Sequence, residues 1–124
     1  MTINSKTTIL VVDDSGAVRS IVRKLLTQLG YIHVDEASDG ASALVKMNEK
    51  SYGLVISDWN MVPMNGQALL ERVRANKKFA NLPFIMMTAE SNPDKMIEAK
   101  YAGVSSFINK PFSAEALQAK ISKI

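Results

Sequence analysis

The stretch TILVVDDSG, residues Thr8 to Gly16, carries an apolar run directly into two adjacent aspartates. The run Ile9–Val12 does not alternate with polar residues, which is typical of a strand buried on both faces of a parallel sheet. Paired carboxylates at the end of such a strand are costly to remove from water unless a cation offsets their charge. Asp13 and Asp14 therefore indicate a site whose other members come from elsewhere in the chain.

Length and composition limit the class of protein. The chain has 124 residues, 47% hydrophobic and 22% charged, as is usual for one soluble globular domain. The absence of cysteine excludes disulfides, thiolate metal sites and a cysteine nucleophile. No apolar run approaches the ~20 residues of a membrane span and no signal peptide is visible, so we expect a cytoplasmic protein without membrane contact.

The net charge of +3 raises the question of nucleic-acid binding. A basic patch for nucleic acid is one interpretation of the cluster near residues 72–78, but a solvated helix end with a basic last turn is the one we adopt. We therefore expect no nucleic-acid partner. The cluster consists of Arg72, Arg74, Lys77 and Lys78.

Strand and helix patterns alternate along the chain. Apolar residues recur at i, i+3, i+4, i+7, i+8 and i+11 from Val18 to Leu29, Ile21 included, and predict a helix that Gly30 ends. GLVISD, LPFIMMT and SSFIN read as further strands, and residues 31–37 as a weak edge strand. Other helices are expected over 39–49 with Ala41, Leu44 and Val45 facing inward, around Ala68–Val73, from Asn92 and Pro93 to about Gly103, and after the cap Ser113.

Five strands and five helices therefore alternate with connections of mostly two to six residues. Short βα units require right-handed crossovers, which place helices on both faces of a parallel sheet. We predict an α/β fold with a doubly wound, five-stranded parallel sheet, in one domain over residues 1–124 with no output domain.

Polar residues stand at the carboxyl ends of the predicted strands. Asp13 and Asp14 follow the first strand, and Asp58, Thr88 and Lys110 follow three later ones. These ends share one edge of a parallel sheet, where open α/β sheets bind ligands. Three carboxylates within ~4 Å repel by roughly 4 kcal/mol per pair at an effective dielectric of about 20, and a hard cation removes that cost. The all-oxygen set suits Mg²⁺ or Ca²⁺, and Mg²⁺ suits one or two carboxylates with a phosphate oxygen.

This edge has the residues for phosphoryl transfer. A carboxylate beside a metal can attack phosphorus, and Asp58 is the best candidate because it stands alone on a central strand. Lys110 and Thr88 can then stabilise charge on phosphoryl oxygens. One aspartate after a strand, such as Asp14, is most often a helix cap, but the full set at successive strand ends favours a site.

The chain resembles the receiver domains of response regulators, and among them the stand-alone chemotaxis regulators. The matching segments are VVDDSG, ISDWNM, MNG, MTAE and NKPF, and they extend over essentially the whole chain. The resemblance implies a flavodoxin-like strand order of 2-1-3-4-5. It also implies that Asp58 is the phosphoacceptor, that Thr88 and Lys110 contact the phosphoryl group, and that the Lys110–Pro111 bond is cis.

The resemblance further implies a metal site. Mg²⁺ would be held by Asp14, Asp58 and the backbone carbonyl of Asn60, with Asp13 assisting through water. The residues two places beyond the phosphoacceptor and the threonine, Asn60 and Glu90, would tune dephosphorylation and suggest a short-lived phosphoryl state.

Two features differ from the usual pattern of the family. Phe107 occupies the switch position where chemotaxis regulators usually carry Tyr; it can swing inward but has no hydroxyl, which counts against classical flagellar-motor signalling. The loop after the phosphoacceptor reads MVPMNG, with Pro63 one place late, and only a local turn difference is expected.

These features predict a non-enzymatic phosphoacceptor response regulator of a two-component or chemotaxis pathway. It would be a monomer, be phosphorylated by a CheA-like histidine kinase, and bind a flagellar motor switch or another effector through its fourth helix, last strand and last helix. A phosphate sink or phosphorelay intermediate is the alternative. A magnesium-dependent aspartate-nucleophile phosphatase needs an acid where Asn60 stands, and a flavin carrier needs a phosphate-cradling first loop, which DDSGAVR would not provide.

The sequence also predicts the exposure of four other residues. Trp59 is expected to be half exposed and sensitive to the metal. Met61 and Met64 are candidates for a partner-binding face. His33 is expected at the surface.

Overall fold

The computed structural model describes residues 3–89 and 93–124, in which strands and helices alternate throughout. A short 3₁₀ helix, Lys77–Phe79, adds an element to those expected. The strands are β1 (Ile9–Val12), β2 (Val34–Ala37), β3 (Leu54–Asp58), β4 (Phe84–Thr88) and β5 (Ser106–Asn109), and the helices are α1 (Gly16–Gln28), α2 (Gly40–Glu49), α3 (Gly66–Ala75), α4 (Pro93–Ala102) and α5 (Ala114–Ser122).

The five strands form one parallel sheet in the order β2-β1-β3-β4-β5. This confirms the predicted doubly wound fold. Since β2 lies on one side of β1 and the three later strands lie on the other, right-handed crossovers place helices on both faces of the sheet. The register pairs Val12 with Ser57, so the residues that follow, Asp13 and Asp58, stand level with each other on neighbouring strands. All carboxyl ends therefore meet at one edge.

The core has one cluster on each face of the sheet. Every side chain of β1 is fully buried, and successive residues alternate between the two clusters. Ile9 and Val11 pack with side chains of α1 and α5, whereas Leu10 and Val12 pack with those of α2 and α3. Each buried aliphatic side chain contributes about 1.5–3 kcal/mol, which explains the continuous apolar run.

Two predicted helix faces are wrong in detail. In α1, Ile21 is 57% exposed, because the buried stripe is narrower than the apolar pattern and centres on Val22 and Leu26. In α2, Ala41 and Val45 are exposed. The inward stripe of α2 follows i, i+3, i+7 spacing from its first residue and consists of Gly40, Ala43 and Met47.

Helix ends follow the expected chemistry. Ser113 caps α5 by accepting the backbone N–H of Ala116, and Gly30 follows α1 with a φ of 95°, a conformation that favours glycine. The expected cap Asn92 lies outside the described residues. The edge strand β2 begins only at Val34, and His33 before it is exposed as expected. Within the described ranges no helix has the length and apolarity needed to cross a membrane.

Candidate functional site

The carboxyl edge of the sheet gathers three carboxylates around one ammonium group. Carboxylate oxygens of Asp13, Asp14 and Asp58 lie within 4.8 Å of one another. Lys110 Nζ lies 2.8 Å from Asp58 Oδ1 and 3.1 Å from Asp13 Oδ2. One ammonium group does not balance three carboxylates, so the cluster keeps an excess of negative charge. The structure therefore brings together four of the residues predicted for the site.

The two adjacent aspartates have different environments. Asp13 is 1% exposed, and its Oδ1 accepts the backbone N–H of Ser15 at 2.9 Å. Asp14 is exposed at the mouth of the cluster. Ser15, not Asp14, caps α1, since its hydroxyl accepts the N–H of Val18. The capping role that one aspartate after a strand usually has is thus taken by serine, which leaves the Asp14 carboxylate for another role.

Burial and mutual contact shift the pKa values of Asp58 and Lys110 at the centre of the cluster. Desolvation raises the pKa of Asp58 and neighbouring Asp13 raises it further, while the hydrogen bond from Lys110 lowers it without cancelling the rise. Burial alone would lower the pKa of Lys110, but its hydrogen bonds to Asp58 and Asp13 outweigh this effect and raise it. Lys110 is therefore a permanent cation at the site.

Thr88 and Lys110 are joined through the backbone. Thr88 ends β4 beside β3 and is 7% exposed, and its carbonyl oxygen accepts the backbone N–H of Lys110 at 2.7 Å. The Lys110–Pro111 bond is cis as expected, and so is Val62–Pro63 in the loop after β3. Thus the end of β5 is held against the end of β4, next to Asp58.

The remaining predicted site residues have the following positions. Asn60 is exposed, two residues beyond Asp58. Phe107 pairs with Met86 across β4 and β5 and is partly buried against the core. Glu90 lies outside the described residues, so its role stays a prediction.

Three expectations for the neighbouring apolar side chains are wrong or only partly met. Trp59 is 6% exposed rather than half exposed, and Lys95 Nζ lies 5.7 Å from its ring centroid. Met61 is 4% exposed and belongs to the core, so it offers no partner-binding face. Met64 is partly buried and packs over Gly40, where an added Cβ would lie 2.5 Å from the Met64 sulfur. The loop after β3 is folded onto the core.

Gly66 is a residue of the site that sequence reasoning did not single out. Its N–H donates to the Trp59 carbonyl at 2.8 Å at the start of α3. A Cβ at this position would lie 2.3 Å from the carbonyl oxygen of Asp58 and 2.7 Å from the sulfur of Met86. The close approach holds α3 against the end of β3. The segment MNG contained the only signal, a glycine directly after the cap Asn65.

Gly66→Ala is therefore expected to destabilise the protein by about 2 kcal/mol, because backbone atoms cannot yield to the new methyl group as a flexible side chain could. Urea unfolding followed by circular dichroism measures the change. Gly16→Ala is the matched control, since its Cβ would meet only the end of Arg19 at 3.4 Å. It should be neutral or slightly stabilising; equal losses in both variants would contradict the role of Gly66.

Comparison with known proteins gives a consistent family assignment. A model of the family described as the response regulator receiver domain matches residues 9–122. Chemotaxis protein CheY of Pseudomonas aeruginosa is 43% identical over 116 residues, 94% of each chain. Chemotaxis protein CheY-3 of Vibrio cholerae is 42% identical over 122 residues, 98% of this chain and 94% of that protein.

Solved structures agree with the observed fold. Vibrio cholerae CheY4 has a TM-score of 0.89 at 34% identity, covering 95% of this chain and 98% of that one. The receiver domain of the Pseudomonas aeruginosa sensor histidine kinase PA1611, with a magnesium ion coordinated in its active-site cleft, has a TM-score of 0.85 at 24% identity, covering 94% and 95% of the two chains.

Proposed function

Because the chain belongs to the response regulator receiver domain family and is homologous to CheY chemotaxis regulators, we propose that Asp58 accepts a phosphoryl group from a histidine kinase. The observation that carries the proposal is the position of Lys110, whose ammonium group contacts Asp58 at 2.8 Å beside two further carboxylates. No feature of the described residues favours the phosphatase or the phosphate-sink alternative, and Asn60 offers no general acid.

The donor set fits Mg²⁺. Three carboxylates supply hard oxygen ligands within 4.8 Å of one another, and their charge exceeds that of Lys110. Asp14 and Asp58, with the Asn60 carbonyl, would hold the ion, and Asp13 would assist through water. Bound there, Mg²⁺ would neutralise the carboxylates and the incoming phosphodonor so that the two anions can meet.

Three residues of the chain have separate roles in the phosphoryl transfer. A carboxylate oxygen of Asp58 forms a bond to phosphorus while the bond from phosphorus to the donor's imidazole nitrogen breaks, and that nitrogen keeps the electron pair. The ammonium group of Lys110 exchanges its contact with Asp58 for one with a phosphoryl oxygen. The hydroxyl of Thr88 donates to another.

The output surface is proposed to consist of α4, β5 and α5. On α4, Met96 is 38%, Ile97 is 52% and Tyr101 is 90% exposed, which is an unusual amount of apolar surface for one short helix. An effector protein, whether a flagellar motor switch or another target, would cover this surface. The cytoplasmic location and monomeric state expected from the sequence stay predictions, as do the kinase and the effector.

Incorporation of a phosphoryl group from acetyl phosphate tests the proposed function. Intact-mass spectrometry should show one phosphoryl group per chain with Mg²⁺ and none with EDTA. Labelling that is equal in both conditions would contradict the assigned metal dependence, and no labelling under any condition would contradict the function.

Asp14→Asn is expected to weaken Mg²⁺ binding at least about ten-fold, because it removes the charge of an exposed ligand without disturbing the core. Titration of Trp59 fluorescence with MgCl₂ measures the affinity. Glu49→Gln is the control, since Glu49 is an exposed carboxylate at the end of α2. If Asp14→Asn binds Mg²⁺ like the wild type, the pair of aspartates is structural.

Phe107→Ala is expected to uncouple phosphorylation from the output surface. Movement of Thr88 toward the phosphoryl group would open space behind it, and turning the Phe107 ring inward would gain roughly 1.5–3 kcal/mol. The amide shifts that beryllofluoride and Mg²⁺ cause in β5 and α5 should fall to less than about half in this variant. Phe107→Tyr should retain them. Full retention by Phe107→Ala would show that the ring does not transmit the signal.

A further inference from the structure

A second cleft lies at the opposite edge of the sheet from Asp58. Its volume is about 630 Å³, and it is bounded by the end of α2 with the loop before β3 and by the 3₁₀ helix with the loop before β4. The five residues of β3 separate it from the phosphorylation site by roughly 15 Å. Apolar residues that are buried or partly buried line its floor: Met47 is buried, and Leu82 and Pro83 are partly buried.

The rim of this cleft is positively charged. Lys50, Lys77 and Lys78 line it, and Glu49 is the only acidic residue that does so among the described residues. Lys50 is paired with Asp35 at 3.0 Å. Lys77 and Lys78 form no ion pair within residues 3–89 and 93–124, so their charge is available to an anionic partner.

The aromatic residues of the cleft argue against a nucleic acid. Lys50 Nζ lies 5.9 Å from the ring centroid of Tyr52, and Lys78 Nζ lies 5.9 Å from that of Phe79. The hydroxyl of Tyr52 donates to Asp35 at 2.7 Å. Nucleobases bind to basic surfaces by stacking on open ring faces. Here the protein's own ammonium groups lie over the rings, and what remains is an apolar floor with charged edges.

We infer that this cleft docks an acidic peptide segment of a partner protein, with an apolar side chain on the floor and carboxylates paired with Lys77 and Lys78. The charge of the rim selects the anion, and the apolar floor selects a peptide side chain over a bare polyanion. Since the cleft lies at the edge of the sheet away from Asp58, the docking is independent of phosphorylation. It would hold the protein near a partner in both signalling states.

Two capped hexapeptides test the inference. One has a central leucine and phenylalanine flanked on each side by two acidic residues, and the other carries the corresponding amides. Nuclear magnetic resonance titration of the full chain should show shifts at the backbone amides of Tyr52, Phe79 and Leu82 with the acidic peptide. The neutral peptide should bind at least about ten-fold more weakly. Beryllofluoride with Mg²⁺ should change the dissociation constant less than about two-fold, which separates this test from that of the phosphorylation site.

Charge reversal supplies the matched comparison. The double variant Lys77→Glu, Lys78→Glu should weaken binding of the acidic peptide at least about ten-fold, and Lys6→Glu, Lys24→Glu should change it less than about two-fold. Equal losses in both variants would reduce the effect to net charge and overturn the proposal. Shifts that avoid the cleft, equal binding of the neutral peptide, or tighter binding of a single-stranded oligonucleotide at the same amides would also overturn it.

Discussion

Asp58→Asn is expected to reduce phosphorylation by acetyl phosphate more than about 100-fold, because an amide cannot act as the nucleophile toward phosphorus. Asp58 is the carboxylate that stands on a central strand and contacts Lys110 at 2.8 Å. Intact-mass spectrometry with Mg²⁺ measures the loss. Asp39→Asn is the control, since Asp39 caps α2 and is not one of the three clustered carboxylates; it should be labelled like the wild type. Undiminished labelling of Asp58→Asn would contradict the assignment.

The same substitution should stabilise the fold in the absence of Mg²⁺. Burial and Asp13 raise the pKa of Asp58 above 3.8, so the folded state binds its proton more tightly than the unfolded chain does. The stability that the protonated Asp58 carboxyl group contributes is present below the pKa that this group has in the unfolded chain. It is lost as the pH rises through the pKa of the group in the folded state. The melting temperature of Asp58→Asn should therefore exceed that of the wild type by roughly 3–5 °C for each kcal/mol gained at pH 7, and should not exceed it near pH 3.5.

Lys110→Gln is expected to have the opposite effect, a loss of about 2 kcal/mol at pH 7 in EDTA, because it leaves the buried carboxylates of Asp13 and Asp58 without their cation. Urea unfolding measures the loss. The full penalty for a broken buried pair is not expected, since the Lys110 side chain is 22% exposed. Lys24→Gln, on the exposed side of α1, should change the stability by less than about 0.5 kcal/mol.

A double-mutant cycle makes this prediction specific. Asp58→Asn should stabilise the Lys110→Gln variant by more than it stabilises the wild type, since in that background it removes a carboxylate that has no counter-charge. Additive effects, or a Lys110→Gln variant as stable as the wild type, would show that the ammonium group does not hold the cluster together.

The order and type of the elements could be predicted because the central strands are buried on both faces. Ile9–Val12 is a continuous apolar run, and β3 begins with three apolar residues before Ser57 and Asp58; such runs are typical of a sheet covered on each side. Periodicity gives the direction of a helix stripe but not its width, and for this reason Ile21 was expected to be buried. In α2 the position of the buried stripe depends on where the helix begins. It begins at Gly40 and not at residue 39, and an error of one residue in the start displaces the stripe.

Within the site, the sequence predicts which residues meet but not how each is buried. Asp13 and Asp14 are adjacent and identical in type, and only the turn into α1, closed by Ser15, decides which one faces Lys110. Trp59 is buried because the loop after β3 turns back at Gly66 and because Lys95 of α4 lies over the ring. Both are contacts between distant segments, which local patterns do not contain.

Identification of the modified residue tests most directly whether Asp58 carries the phosphoryl group. The protein is phosphorylated with acetyl phosphate and Mg²⁺, reduced with borohydride to trap the acyl phosphate, digested and sequenced by tandem mass spectrometry. Reduction is expected at Asp58 alone, and none is expected when Mg²⁺ is replaced by EDTA. Reduction at Asp13 or Asp14, or modified protein without any reduced aspartate, would contradict the assignment of Asp58.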